Sequence, residues 1–120
     1  MLTFHDDPAI KAKFLARLKD HQQADEIVKG IYWENGKGCA VGCTIHGSAH
    51  NAYEIELGIP MNIAYVEDRL FERMPNAESK LFPYAFLDAV PVGVDLEKNQ
   101  IIPKFLHWLL INEECGVIKY

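Results

Sequence analysis

The chain has 120 residues, of which 49% are hydrophobic and 24% charged, and its formal net charge is −5. Its length and composition fit one globular domain spanning residues 1–120, and they exclude an intrinsically disordered chain. The negative charge argues against a nucleic-acid partner, because a phosphate backbone is bound by a basic surface.

Location is predicted from three features of the sequence. The N-terminal residues MLTFHDDPAI lack the basic and apolar regions of a secretory signal. The longest apolar run, residues 105–111, contains His107 and is too short to cross a bilayer. Three cysteines are too few, and odd in number, for a disulfide scaffold. The sequence therefore predicts a soluble cytoplasmic protein without a membrane partner.

The first helix is predicted to begin at Asp6-Asp7-Pro8, where a capping residue precedes a proline suited to the first helical position. Its apolar face follows at helical spacing. Residues 24–31 carry a second short apolar stripe at the same spacing, which Gly30 is expected to end.

Residues 31–41 allow two interpretations. Asn35-Gly36 after the β-prone residues 31–34 predicts a hairpin. Alternatively, residues 36–38 form a loop that leads into a helix starting at Cys39.

Helical patterns return after His50. A short helix over residues 51–57 is expected to end at Gly58, and a longer one to begin at Pro60 and end near residue 74. The charged residues of the longer helix, residues 67–69 with 72 and 73, are expected on its solvated face. Further helices are predicted over residues 81–90 and 96–111. The predicted fold is a mainly α, single compact helical domain of about five helices with one minor β-hairpin or strand pair.

The stretch NGKGCAVGCTIHGSAH, residues 35–50, combines cysteines, histidines and glycines. Cys39, Cys43, His46 and His50 would share one face of an ideal helix, but eleven residues of helix rise about 16 Å, too far for one metal ion. A zinc site of two or three ligands fits the spacing better. The predicted ligands are Cys43, His46, His50 and Glu54, with Cys39 as an outer partner.

A second hypothesis is thiol chemistry, with Cys39 as a speculative catalytic residue at a helix N-terminus. In that case a small ligand is expected beside Trp33, Lys37, Gly38 and Thr44. Dinucleotide binding is discounted, since no βαβ unit surrounds the glycines.

A third hypothesis makes the stretch a structural seam, because Gly, Ala, Cys and Val form a narrow face that another element can approach closely. The protein would then be an interaction or homodimerisation module that uses the apolar surface around Trp108. These alternatives stay open at the level of sequence.

Four segments, GKGCAVGCTIHG, YEIELGIP, AYVEDRLFERMPN and FLDAVPVGVDL, resemble those of a family of small uncharacterised bacterial proteins. The resemblance runs from about Ala24 to near the end of the chain. It implies a bacterial source and a single soluble domain, and it assigns no role to any residue.

Overall fold

A computed structural model describes residues 1–97 of the chain. Nearly all of the predicted helix over residues 96–111 lies outside the described residues. The predicted interaction surface around Trp108 and the third cysteine, Cys115, lie outside them as well. In the described part, a 3₁₀ turn (Thr3–Asp6) precedes six helices and one hairpin: α1 (Pro8–Gln23), β1 (Trp33–Glu34), β2 (Lys37–Gly38), α2 (Ala40–Ile45), α3 (Ala52–Leu57), α4 (Met61–Arg73), α5 (Asn76–Ser79) and α6 (Phe82–Ala89). The predicted mainly α fold with a minor hairpin is confirmed.

The first helix begins where the sequence predicts. Asp7 is its N-cap, and the Asp7 Oδ1 accepts a hydrogen bond from the backbone N–H of Ala9 at 2.9 Å. The apolar stripe over residues 24–31, however, is not helical. Asp25 has a positive φ of 57°, and Ile27 forms a parallel bridge with Gly38. The helical spacing was misleading because the backbone of this segment hydrogen-bonds to the hairpin instead of to itself.

The hairpin interpretation of residues 31–41 is confirmed, and the helix of the alternative interpretation follows it, but residues 37 and 38 form a strand instead of the expected loop. Trp33 pairs with Gly38 across the antiparallel hairpin. Asn35 and Gly36 at its tip have φ of 54° and 78°, as a type I′ turn requires. Cys39 then caps α2.

Helix α2 is the centre of the fold. All six of its residues are buried, and it packs against α1, α4 and α6. The carbonyl of Tyr32 lies directly over it: a Cβ placed on Gly42 would be 1.4 Å from the Tyr32 oxygen. Glycine at this position therefore allows the backbone of Tyr32, just before the hairpin, to pack directly on α2.

Helix α4 follows Pro60 and ends before Met74, as predicted, and Gly58 ends α3 in a left-handed conformation. The expected outward position of Glu67 is wrong, since this residue is only 1% exposed. Glu67 lies four residues from both Ile63 and Phe71, which places it on the buried face of α4. Within residues 1–97, none of the helices has the length and apolar character needed to span a membrane.

Candidate functional site

Residues 39–50 do not form one helical face. Helix α2 ends at Ile45, because His46 adopts a left-handed conformation with φ of 55°. The chain then turns before reaching His50. As a result, the two cysteines lie in the core, and the two histidines contact different neighbours.

Cys39 and Cys43 are free, buried thiols. The Cys39 sulfur accepts a hydrogen bond from the Gly42 N–H at 3.5 Å, and the Cys43 thiol donates to the Gly38 carbonyl at 3.3 Å. Burial is the largest cause that raises the pKa of both thiols to about 12. Near neutral pH both groups are therefore protonated in the folded protein.

We expect Cys39 and Cys43 to react with iodoacetamide at pH 8 at least about tenfold more slowly in the folded protein than in urea, because the thiolate is the reactive species. Mass spectrometry of peptides from a timed reaction measures each cysteine separately. Fast alkylation of Cys39 in the folded protein would instead support the thiol-chemistry hypothesis.

The predicted metal ligands do not converge in the structure. The Cys43 thiol hydrogen-bonds to the backbone carbonyls of Glu26 and Gly38, and Glu54 Oε2 accepts a hydrogen bond from the Met61 N–H at 2.8 Å. His46 contacts His21, whereas His50 contacts Asp68. In the part of the chain that the structure describes, no group of three or more His, Cys, Asp or Glu residues could hold a metal ion. Zinc binding by the predicted set gains no support from this geometry.

The predicted ligand-binding residues also have separate positions. Thr44 is buried and donates to the Ala40 carbonyl at 2.7 Å, and Lys37 is exposed on the hairpin. Gly38 is buried where the hairpin meets Ile27, and half-buried Trp33 stacks on His46. None of the four lines the cleft described next.

A cleft beside α4, here called the α4 cleft, has a volume of about 290 Å³. His50 lies against it, with its Nε2 donating to Asp68 Oδ2 at 2.7 Å. The His50 ring stacks on Tyr65 at a centroid distance of 4.0 Å and meets the edge of Tyr32 at 5.5 Å. His50 is 5% exposed, so its ring is held by neighbours on several sides. The cleft is lined by Tyr32, His50, Tyr65, Asp68, Arg69, Glu72 and Arg73.

The charged groups of the α4 cleft differ in whether the protein already pairs them. Asp68 accepts from His50, and Glu72 Oε1 accepts from the Gly30 N–H at 3.2 Å. Arg69 and Arg73, one turn apart on α4, are exposed and have no ion-pair partner among residues 1–97. Among residues 1–97, the cleft therefore combines positive charge that no carboxylate pairs with carboxylates that already accept hydrogen bonds.

A second cavity of about 220 Å³ adjoins the α4 cleft and shares Tyr32, Asp68 and Glu72 with it. Cys39 lines this second cavity, and the nearby Asp68 carboxylate further raises the pKa of its thiol. Asp68 also accepts from the Val41 N–H through Oδ1 at 3.4 Å. Asp68 thus links α2 and His50 through one side chain.

A separate cluster lies where the end of α1 meets the end of α2. His21 Nε2 is 2.7 Å from His46 Nε2, and His21 Nδ1 is 2.8 Å from Glu26 Oε1. Trp33 stacks on His46 at 4.4 Å with an interplanar angle of 11°. Burial, followed by Arg17 and His21, lowers the pKa of His46.

Several residues of these two sites were not predicted to be functional. The helical pattern predicts Asp68, Arg69 and Arg73 on a solvated helix face, and no sequence feature predicts a role for His21 or Tyr65. Their partners lie 18 to 25 residues away in the pairs His50–Asp68 and His21–His46. Helical periodicity gives no information about contacts at such separations.

Comparison with known proteins adds no further assignment, so the resemblance to small bacterial proteins stays a prediction. No family model, curated protein or solved structure significantly matches the chain.

Proposed function

We propose that the protein binds a small anionic ligand with a planar ring in the α4 cleft. The observation that carries this proposal is the pair of exposed arginines, Arg69 and Arg73, beside the Tyr32–His50–Tyr65 cluster. Arginine is the side chain best suited to bind a carboxylate or phosphate, because its planar guanidinium donates two parallel hydrogen bonds.

The charge balance supports an anion over a cation. Asp68 and Glu72 accept hydrogen bonds from His50 and from Gly30, so their oxygens are partly engaged. An incoming cation would compete with those contacts. An incoming anion instead adds partners to the two arginines and leaves the existing hydrogen bonds intact.

The aromatic rings support a planar ligand of modest size. Tyr32 and Tyr65 remain 52% and 46% exposed, so each offers a ring surface to the cleft. Offset stacking on such a ring contributes about 0.5–1.5 kcal/mol beyond the burial of area. A volume of about 290 Å³ is at the lower end of small-molecule sites. The predicted cytoplasmic location of a bacterial protein would expose this cleft to many small anionic metabolites.

The probes that test the proposal share a benzene ring and differ in charge: phenyl phosphate, benzoate, benzamide and benzylamine. We expect the two anions to shift the backbone amide NMR signals of α4 and of residues 31–33, and the neutral and cationic probes to do so at least about tenfold more weakly. Isothermal titration of the same probes gives the affinities.

Paired variants with the same change in net charge provide the control. Arg69→Gln with Arg73→Gln is expected to weaken phenyl phosphate binding about tenfold or more, since each lost charge-assisted hydrogen bond contributes roughly 1.5–3 kcal/mol. Lys13→Gln with Lys19→Gln, on the exposed side of α1, is expected to leave binding unchanged. Equal losses in both pairs, stronger binding of benzylamine, or no binding of either anion would contradict the proposal.

A further inference from the structure

The two histidines His21 and His46 hold their ring nitrogens in an unusual relation. His21 belongs to the last turn of α1, and His46 immediately follows α2. Their Nε2 atoms are 2.7 Å apart, and their ring planes cross at 80°. Each ring thus directs a nitrogen at the other from a different element of the fold.

The hydrogen bond to Glu26 determines which nitrogen of His21 is available. A carboxylate only accepts hydrogen bonds, so the His21 Nδ1, 2.8 Å from Glu26 Oε1, carries a proton. The contact between the two Nε2 atoms then contains a single shared proton. When His46 instead carries its proton on Nδ1, both rings are neutral and the two Nε2 lone pairs face each other.

We propose that His21 and His46 bind a divalent ion of a late transition metal, such as Ni²⁺, Cu²⁺ or Zn²⁺, through their Nε2 atoms. Neutral imidazole is a preferred ligand of these ions. A histidine ligand commonly donates its other ring N–H to a carboxylate, which fixes the tautomer and makes the ligand more basic. Glu26 has this relation to His21.

The two atoms are about as far apart as two ligands of one ion, but each ring has to turn by roughly 45° before its lone pair points at that ion. Zinc-to-nitrogen bonds are about 2.0–2.1 Å long, so an ion at that distance from both atoms would subtend about 80° at the present separation. Opening the pair by ~0.2 Å gives the 90° of an octahedral or square-planar ion. This geometry favours Ni²⁺ or Cu²⁺ over tetrahedral Zn²⁺. Water completes the coordination, since His46 is exposed.

Neighbouring groups hold the two rings in place. Trp33 lies flat on His46 at 4.4 Å and meets the edge of His21 at 5.5 Å. Arg17 donates to the Thr44 carbonyl at 2.9 Å, close to the end of α2. These contacts keep the two rings next to each other before an ion arrives, so less conformational entropy is lost than if the ligands first had to be brought together.

Ni²⁺ is the probe, because it suits the 90° geometry and does not oxidise thiols. Titration of the tag-free protein at pH 7.5 is followed by the fluorescence of Trp33, with Trp108 replaced by Phe so that one tryptophan reports. We expect quenching that saturates at one equivalent of Ni²⁺ and is reversed by a chelator. Isothermal titration of the unmodified chain gives the stoichiometry independently.

His21→Gln and His46→Gln are each expected to weaken Ni²⁺ binding at least tenfold, and Glu26→Gln about tenfold, the lower end of effects for a group behind a ligand. His5→Gln is the matched control, because His5 is exposed and its ring hydrogen-bonds only to the Ile55 carbonyl among the described residues. Far-UV circular dichroism without metal identifies any variant that fails to fold. In that event, the Ni²⁺-induced broadening of histidine ring NMR signals in the unmodified chain shows whether His21 and His46 bind the ion. Binding that survives in both His21→Gln and His46→Gln, that is lost in His5→Gln, or that is absent from the unmodified chain would overturn the proposal.

Discussion

Glu67→Gln is expected to remove a large part of the pH dependence of stability between about pH 5 and pH 8. Glu67 is 1% exposed, and its Oε1 accepts a hydrogen bond from the Tyr53 hydroxyl at 2.6 Å. Burial is the main cause that raises the pKa of Glu67 to about 8, and the neighbouring Asp68 raises it further, whereas the Tyr53 hydrogen bond lowers it. The folded protein therefore keeps a proton on this carboxyl at neutral pH.

The direction of the effect follows from proton linkage. In the unfolded chain Glu67 returns to its ordinary pKa of 4.5, so unfolding releases a proton at any pH between 4.5 and about 8. The stability that this group contributes is fully present below pH 4.5 and is lost as the pH rises through 8. One pKa unit corresponds to about 1.4 kcal/mol, which sets an upper limit of about 5 kcal/mol for the loss. Glutamine cannot ionise, and its amide oxygen can still accept from Tyr53.

Urea unfolding at pH 5, 6, 7, 8 and 9 checks this result. Relative to the unmodified chain, we expect Glu67→Gln to have a similar free energy of unfolding at pH 5 and a higher one, by about 2 kcal/mol or more, at pH 9. Glu34→Gln, the same chemical change at an exposed position of β1, should run parallel to the unmodified chain. A Glu67→Gln curve that is also parallel would show that the buried carboxyl is ionised in the folded protein.

The parts of the fold that the sequence predicted correctly depend on local backbone chemistry. The cap at Asp7, the turn at Asn35-Gly36 and the left-handed Gly58 each have a structural cause within a few residues. The segment over residues 24–31 was misjudged because its hydrogen-bond partner, Gly38, comes from a later part of the chain. A short apolar stripe cannot reveal such a partner.

The burial of Glu67 was missed although a local signal existed. Its spacing of four residues from Ile63 and from Phe71 places it on the apolar face of α4, but a carboxyl group is ordinarily solvated. The partner that makes burial tolerable, Tyr53, comes from α3. The contacts of His50 with Asp68 and of His46 with His21 could not be predicted either, because both depend on how separate helices pack together. The sequence therefore located residues 39–50 as the segment to study without revealing either site.

Gly42→Ala is expected to destabilise the protein severely, by about 3 kcal/mol or more. In most helices this substitution stabilises by about 1 kcal/mol, because alanine has the higher helix propensity. Here the new Cβ would lie 1.4 Å from the Tyr32 carbonyl oxygen and 2.6 Å from the Tyr32 carbonyl carbon. These are backbone atoms, so they cannot move aside as the end of a flexible side chain could. The steric effect outweighs the propensity gain, and the sign is reversed.

Gly47→Ala is the matched control, since a Cβ on Gly47 would meet nothing within 4 Å. We expect its free energy of unfolding to stay within about 1 kcal/mol of the unmodified value. Urea unfolding of both variants at the same pH makes the comparison, and two-dimensional NMR shows whether the signals of residues 31–33 shift in Gly42→Ala alone. Equal stability of the two variants would mean that Tyr32 does not pack on α2. Tyr32 also lines the α4 cleft. A large loss of stability in Gly42→Ala would therefore show that the cleft requires glycine at position 42.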